Sequence, residues 1–258
     1  MIRELAENAN TYTPVGPDEE RVVDPRYVIS FGAGTDPHFT SVQRLRLERD
    51  GVVDVVAEVR EAVAARGRPA CIWEVGDSAT PDDLVQRLLA LGCEPDRVPL
   101  AVGMVLTERP ADGVSNATAR RVETLAEYEE AICIAHAAFE MPVKSTEEAL
   151  ARASIDFARE GDQWATYLAF VDGRAVARAT SQFTEHGVLL FGGATRDEER
   201  GKGAYRALVR ARWDDAVARG IPVLVTQAGP MSLPILTRLG FREVSRIHIL
   251  LDQFGESD

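Results

Sequence analysis

The sequence has few cysteines, no long apolar run and no excess of positive charge. Its three cysteines, Cys71, Cys93 and Cys133, lie in or beside apolar stretches without the spacing of metal ligands. We therefore expect reduced, buried thiols, no metal and a cytoplasmic location. The first residues lack the apolar core of a signal peptide, and the longest apolar run, around residues 98–106, is too short to span a bilayer. We expect no membrane association.

The charge balance is acidic. The 258 residues carry a net charge of −12, which argues against a nucleic-acid binder because phosphate binding requires a basic surface. With 45% apolar and 27% charged residues, the chain is long enough to form one large or two small globular domains. An enzyme with this acidic net charge, whose basic residues were gathered at one loop, would attract cationic amines to the rest of its surface.

The most informative segment joins a strand to a helix. An apolar strand at 188–195 is followed by a polar turn, a basic loop flanked by glycines, and an amphipathic helix at 206–219. Glycines let the backbone approach a ligand closely, and a helix N-terminus favours negative charge, so the segment suits a diphosphate. It is not a nucleotide-triphosphate loop, because Gly203 stands where Ser or Thr would follow Lys202.

This loop, Arg200-Gly201-Lys202-Gly203-Ala204-Tyr205, resembles the pyrophosphate loop of the GNAT superfamily of N-acetyltransferases, with Tyr205 in place of a small residue. An ordinary strand-to-helix turn is the alternative for the loop alone. The order of elements over the next roughly seventy residues also resembles the family. It comprises a strand at 223–226, a loop at 227–231, a helix at 232–239, Gly240-Phe241, and a final antiparallel pair at 242–245 and 246–252.

The resemblance implies an α/β (α+β) fold with a mixed, mostly antiparallel sheet flanked by helices. It also implies an acetyl-CoA-dependent N-acetyltransferase in which a primary amine, here of a small molecule, attacks the thioester directly. Acetyl-CoA would be a co-substrate, and the chain a monomer or homodimer. A non-catalytic acyl-CoA-binding or regulatory module is the alternative. A further option is a sugar-thiol precursor amine, as in actinobacterial tandem GNAT enzymes; the Ala, Arg and Val content indicates a GC-rich bacterial source.

The first half of the chain contains a similar order of elements. Residues 1–37, rich in Pro, Gly, Asp and Glu, are predicted to wrap the surface apart from a strand at 27–31. The later elements are a helix at 52–66 with a valine face, a strand at 70–75, a helix capped by Thr80 with Pro81 in its first turn, and a strand at 100–106.

The two halves of the chain have the same order of helices and strands, which indicates an internal structural repeat. Helix, strand, helix and strand follow in the same order, punctuated by Gly67-Arg68-Pro69 in one half and Gly220-Ile221-Pro222 in the other. We predict a degenerate GNAT-like domain at 1–112 and a catalytic GNAT domain at 116–258, with linker chemistry between them. No acyl-CoA is expected in the first domain, because the residues before its helix lack the loop motif. A generic α/β segment is the alternative for this half.

The second half begins with a strand at 119–122 and a helix at 125–139. A helix at 146–160 follows, for which Ser145 or Thr146 and Glu147 or Glu148 are available as caps. Strands at 165–171 and 174–184 are joined by the turn pair Asp172-Gly173.

The resemblance also indicates site residues. The acyl-CoA would be bound by Gly193, Ala194, Thr195, Arg196, Arg200, Gly201, Lys202, Gly203, Ala204, Tyr205, Gln227 and Ser232, with Thr226 beside them. The tyrosine that many GNAT enzymes use as general acid is replaced by Leu236, and the asparagine that often begins the same helix is replaced by Gly229.

The catalytic candidates are therefore weaker. Ser232 would reach the sulfur region or act as a helix cap, and Glu140 or Glu185 would act as base. Other options are the three histidines His136, His186 and His248, a water relay, or loss of the proton to solvent.

Overall fold

The computed structural model describes residues 1–16, 18–34, 36–111 and 116–255. The α-helices of this part are α1 (Ile2–Glu7), α2 (Val52–Ala64), α3 (Leu84–Ala90), α4 (Leu125–Ala138), α5 (Val143–Phe157), α6 (Ala204–Ala218) and α7 (Leu233–Arg238). Its strands are β1 (Glu20–Val23), β2 (Val28–Phe31), β3 (Thr40–Gln43), β4 (Ala70–Gly76), β5 (Glu94–Leu106), β6 (Thr118–Arg121), β7 (Trp164–Val171), β8 (Arg174–Thr184), β9 (Gly187–Thr195), β10 (Leu224–Ala228) and β11 (Arg242–Gln253).

These strands form one mixed sheet in the order β1-β2-β3-β4-β11-β5-β10-β9-β8-β7-β6. The pairs β3 with β4 and β9 with β10 are parallel, and the other neighbours are antiparallel. The repeated plan appears as α2-β4-α3-β5 and α6-β10-α7-β11. The predicted fold class, a mostly antiparallel sheet flanked by helices, is confirmed.

The last strand of each repeat pairs with the other repeat. Strand β5 lies against β10, and β11 lies against β4, while β5 and β11 also pair with each other. Asp252 on β11 is fully buried, and its carboxylate accepts hydrogen bonds from Arg60 Nη2 at 2.7 Å and Trp73 Nε1 at 3.1 Å. Each half of the chain therefore completes the sheet of the other. The division into 1–112 and 116–258 stays a prediction, and residues 112–115 of the linker lie outside the described residues.

The helices cover both faces of the second half of the sheet. Helices α6 and α7 pack on one face, where Leu208 and Leu236 join a core with Leu190 of β9. Helix α4 packs on the other face against Leu168, and α1 packs there against Leu189. Because side chains alternate along a strand, the adjacent Leu189 and Leu190 serve opposite cores.

The expectation that residues 1–37 only wrap the surface was wrong. Leu5 and Ala6 of α1 are fully buried and pack with Val105, Leu189 and Val225. Leu5 and Ala6 are a short apolar pair between charged residues, so the local sequence pattern does not indicate a helix of the core. Burial of α1 depends on the surface that β5, β9, β10 and β11 provide.

The prediction of a final antiparallel pair at 242–245 and 246–252 was also wrong, because β11 is one strand from Arg242 to Gln253. No turn separates Ser245 from Arg246; instead β11 bends at irregularities in its pairing with β5. Strand β11 pairs with β5 along one edge and with β4 along the other.

Three predicted element starts were displaced. Helix α3 begins at Leu84, and the Thr80 hydroxyl donates to the Leu47 carbonyl at 3.1 Å instead of capping it. Helix α5 begins at Val143 after Pro142, so the predicted cap around Ser145 and Thr146 lies inside the helix. Strand β5 begins at Glu94 rather than at residue 100 because it also pairs with β11.

Candidate functional site

A slot opens between two strands of the second half. Strands β9 and β10 pair only at Val188 with Leu224 and at Leu189 with Val225, and both continue beyond that point without pairing to each other. In the first half the corresponding strands are β3 and β4, and the segments that follow them are joined again: Thr80 N donates to Leu45 O at 3.2 Å, and Leu47 N donates to Thr80 O at 3.1 Å. The open slot therefore distinguishes the second half from the first.

A β-bulge lies on one edge of the slot. Two residues of β9, Gly192 and Gly193, oppose a single residue of β8, so the ladder is interrupted there. Gly192 has φ +54°, which favours glycine, and a Cβ at Gly193 would lie 2.7 Å from Cε2 of Tyr205. The bulge takes the peptide groups of Gly192 and Gly193 out of the β8–β9 ladder.

The predicted diphosphate loop leads into the start of α6. Gly201 and Gly203 have φ values of +79° and +87°, and Gly203 is the N-cap residue of the helix. Its conformation is left-handed, so the glycine motif reflects a real backbone requirement. The first-turn N–H groups of a helix lack carbonyl partners within the helix and carry partial positive charge, which makes this end suited to an anion.

The basic side chains of the loop are already engaged with carboxylates. Arg200 forms an ion pair with Asp197 at 2.7 Å, and Lys202 forms one with Glu199 at 2.9 Å. Lys202 and Arg174 lower the pKa of Glu199. The loop borders a depression of about 700 Å³. In this arrangement the first-turn N–H groups of α6, more than the paired basic side chains, are suited to an anion.

The other residues predicted to bind the cofactor line the slot to different extents. The Thr226 hydroxyl donates to Leu190 O at 3.1 Å, and thus ties the two edges together where they begin to separate. Arg196 N donates to Val176 O at 2.9 Å, and its guanidinium pairs with Glu130 at 2.6 Å. The Arg196 amide is therefore engaged within the sheet, unlike the peptide groups displaced by the bulge.

The three catalytic candidates do not come together. Glu140 is exposed at the junction of α4 and α5, and Glu185 is exposed in the β8–β9 turn, at the opposite end of β9 from Thr195. Ser232 is the N-cap residue of α7, but its side chain makes no capping hydrogen bond; its hydroxyl donates to Gly229 O at 3.2 Å. No shared proton-transfer site follows from these positions.

The histidines are likewise dispersed. His136 lies on α4, with Nδ1 at 2.9 Å from the Thr146 hydroxyl, and its pKa is lowered by burial and by the charge of Arg178. His186 and His248 are exposed, in the β8–β9 turn and on β11. Leu236, at the place of the family's tyrosine, is 1% exposed and belongs to the core.

A groove of about 610 Å³ lies on the face of the sheet that carries α1 and α4. The first half contributes residues such as Asn10, Ser30 and His38, and the second half contributes Tyr128, Trp164 and Phe191. The Trp164 and Phe191 rings stack with centroids 6.3 Å apart, and Phe191 directly precedes the bulge. Sequence reasoning missed this groove because one wall comes from residues 10–41 and the other from residues 128–191.

A buried polar cluster joins the two halves beside the groove. Glu74 of β4 accepts hydrogen bonds from Gln43 Nε2 at 2.6 Å, Gln227 Nε2 at 3.3 Å and Asn10 Nδ2 at 3.5 Å. Gln227 also donates to Glu7 O at 3.1 Å. The amide of Gln227, predicted to meet the cofactor or acceptor, is thus held by the first half.

Burial raises the pKa of Glu74. A carboxyl whose folded pKa exceeds its unfolded value stabilises the fold fully below the unfolded pKa, and this contribution is lost as the pH rises through the folded pKa. We expect the Tm of the wild-type protein to fall more between about pH 5 and about pH 8 than that of Glu74→Gln. Thermal unfolding of both proteins at the two pH values measures this. Equal changes would show that Glu74 does not titrate differently on folding.

Neither a membrane-spanning helix nor a metal centre occurs among the described residues. None of their helices has the length and apolarity needed to cross a membrane. They also bring no three His, Cys, Asp or Glu side chains together in a way that would hold a metal ion.

No protein-family model matches the chain, and no curated protein matches it. Among solved structures, a GCN5-related N-acetyltransferase from Kribbella flavida has TM-score 0.74 at 18% identity, covering 99% of this chain and 96% of that chain. A tandem GNAT protein from the clavulanic acid biosynthesis pathway has TM-score 0.64 at 15% identity, with coverages of 100% and 89%. A GCN5-related N-acetyltransferase from Sphaerobacter thermophilus has TM-score 0.67 at 18% identity, with coverages of 94% and 82%. The chain therefore has the GNAT fold, and the predicted resemblance is confirmed at that level.

Proposed function

We propose that the protein is an N-acetyltransferase that transfers the acetyl group of acetyl-CoA to a primary amine of a small molecule. The observation that carries the proposal is the combination, in the second half alone, of an open slot, a bulge on its edge and a helix that begins at a left-handed glycine. The diphosphate would lie at the loop 200–205, and the pantetheine between β9 and β10. The peptide groups of Gly193 and Ala194 would meet the thioester end.

The transfer forms a bond from the amine nitrogen to the acetyl carbon and breaks the bond from that carbon to sulfur. The amine loses a proton, and the thiolate gains one. Peptide N–H groups held in a rigid bulge suit a carbonyl oxygen that gains negative charge, because they need no reorganisation. The acceptor would lie in the groove, which reaches the bulge at Phe191.

The chain offers no side-chain acid at the family's usual position, since Leu236 is buried in the core. This observation favours a second candidate, a non-catalytic acyl-CoA-binding or regulatory module. If the protein is a transferase without a side-chain acid, water would carry the proton transfers. Binding and orientation of the two substrates would then supply most of the rate enhancement.

Calorimetric titration with acetyl-CoA and with CoA, followed by thiol release over a broad amine panel, tests the proposal. We expect one binding site per chain in the micromolar range and turnover of at least one amine. Binding without turnover across the panel would support the module instead. No binding of either ligand would contradict both.

A further inference from the structure

Arg178 lies beside the bulge on the groove face of the sheet. It stands on β8 opposite Leu168 and Ala194, which pack with α4. Its Nη1 donates to the Gly192 carbonyl at 3.0 Å, and a Cβ at Gly192 would collide with that nitrogen. The guanidinium therefore rests on the peptide that precedes the expected acyl position.

The guanidinium has no carboxylate partner among the described residues. No described carboxylate oxygen lies within 4.0 Å of it, whereas neighbouring arginines are paired: Arg196 with Glu130 at 2.6 Å, and Arg159 with Asp156 at 3.7 Å. Arg178 Nε is buried and has no hydrogen-bond partner in the described part of the chain. The nearby carboxylate of Glu160 accepts instead from Thr166 N at 2.7 Å and from its hydroxyl at 2.6 Å.

The charge persists although the side chain is largely removed from water. Burial lowers the pKa of Arg178 to about 10, so the guanidinium is still protonated at neutral pH. A cation withdrawn from water without an anion costs free energy, and guanidinium groups bind carboxylates through two parallel hydrogen bonds. Nη1 is used by Gly192. The edge formed by Nε and Nη2 makes no hydrogen bond to a described residue.

Arg178 is also close to the groove. Its charge acts on Tyr128, a groove residue, where it opposes the rise in the pKa of Tyr128 that burial causes. Phe191, which lines the same groove, adjoins the glycine that Arg178 contacts. A ligand group that passes Tyr128 and Phe191 would thus meet a positive charge next to the bulge.

We propose, on the basis of the function inferred above, that Arg178 binds a carboxylate of the substrate, carried either by the acceptor amine or by the acyl group. An amino-acid-like acceptor is one source of this carboxylate. A dicarboxylic acyl group on CoA is the other. Either would supply the hydrogen-bonded carboxylate that the described residues do not place at Arg178, on which Glu160 acts only through its charge.

Matched substrate pairs distinguish the two sources. The acceptor arm compares lysine with cadaverine, and phenylalanine with phenethylamine, using acetyl-CoA. The acyl arm compares malonyl-CoA and succinyl-CoA with acetyl-CoA, using the two amines that lack a carboxylate. We expect the wild-type protein to favour the carboxylate-bearing member of one arm by at least about ten-fold in kcat/KM.

In Arg178→Gln, that preference should vanish because the KM for the carboxylate-bearing substrate rises. The kcat/KM for acetyl-CoA with an amine that lacks a carboxylate should change by less than about three-fold. Arg178→Lys should retain part of it, because the charge remains and the paired geometry is lost. Arg120→Gln is the control, since Arg120 is an exposed residue of the outer strand β6 and pairs with Glu127 of α4 at 2.6 Å. An equal loss for all substrates would overturn the proposal, because Arg178 would then only position the Gly192 peptide. Absence of any preference in the wild type would overturn it as well.

Equilibrium binding keeps this test separate from that of the proposed function. Calorimetry compares the wild type and Arg178→Gln for acetyl-CoA, for succinyl-CoA, and for lysine in the presence of CoA. A variant that binds acetyl-CoA normally but loses about ten-fold in affinity for one carboxylate ligand supports the inference, even if no amine is turned over. Unchanged affinity for all carboxylate ligands contradicts it whether or not transfer occurs.

Discussion

Gly203→Glu is expected to weaken CoA binding at least about 100-fold, or about 2.7 kcal/mol. Gly203 has φ +87° at the start of α6, so any side chain is strained there by about 1–2 kcal/mol. A glutamate also places negative charge at the end of the helix that is proposed to face the diphosphate. Calorimetric titration with CoA and acetyl-CoA measures the loss.

Gly220→Glu is the matched control for this variant. Gly220 follows the same helix with φ +74°, and a Cβ there meets no atom within 4 Å. It therefore experiences comparable backbone strain and the same charge, about 22 Å from the loop along a helix of fifteen residues. Gly203→Ala introduces the backbone strain without the negative charge, so it separates the two effects on CoA binding. If Gly203→Glu and Gly220→Glu bind CoA equally well, the loop is not part of the site.

The second large effect is expected when the chain is divided. A fragment of residues 116–258 should neither fold stably nor bind CoA, because it lacks β5. Removal of β5 takes the buried Val102, Met104 and Leu106 from the core that also contains α6 and α7. At about 1.5–3 kcal/mol for each side chain, the loss is comparable to the whole stability of a typical domain. Circular dichroism and CoA titration of the fragment measure this.

A fragment of residues 1–111 should fail for the reciprocal reason. Without β11 it loses Asp252, which leaves Arg60 and Trp73 without their partner. Co-expression of the two fragments should restore a folded complex that binds CoA, since each supplies the strand that the other lacks. A fragment 116–258 that alone binds CoA as tightly as the full chain would contradict the structural role of the exchange.

Features set by nearby residues were predictable from sequence. The loop 200–205 combines glycines at two positive-φ positions with the start of a helix, and these requirements act within a few residues. The order of helices and strands follows from apolar periodicity in the same way. The strand at 27–31 and the helix that begins at residue 125 were placed to within one residue at their starts.

The catalytic candidates were less predictable. Glu140, Glu185 and Ser232 were chosen from positions along the chain, and the structure disperses them. The polar groups it does bring together are Glu74 with Gln227, from distant strands, and Arg178 with the Gly192 carbonyl, from the two strands of the β8–β9 hairpin. A carboxylate or guanidinium within a strand pattern is normally read as solvated, and only its neighbours show that it is buried.

The sequence by itself determined the GNAT resemblance, the glycine loop at 200–205 and the repeated helix–strand plan, because local backbone conformation and side-chain periodicity are encoded over short distances. Tertiary structure alone decided that β5 and β11 exchange between halves, that α1 is buried, and that a groove forms between the halves. These outcomes depend on contacts across as many as about two hundred residues, such as Gln227 with Glu7 and Asp252 with Arg60. Such contacts leave no periodic signal, since they are selected by the burial of complementary surfaces.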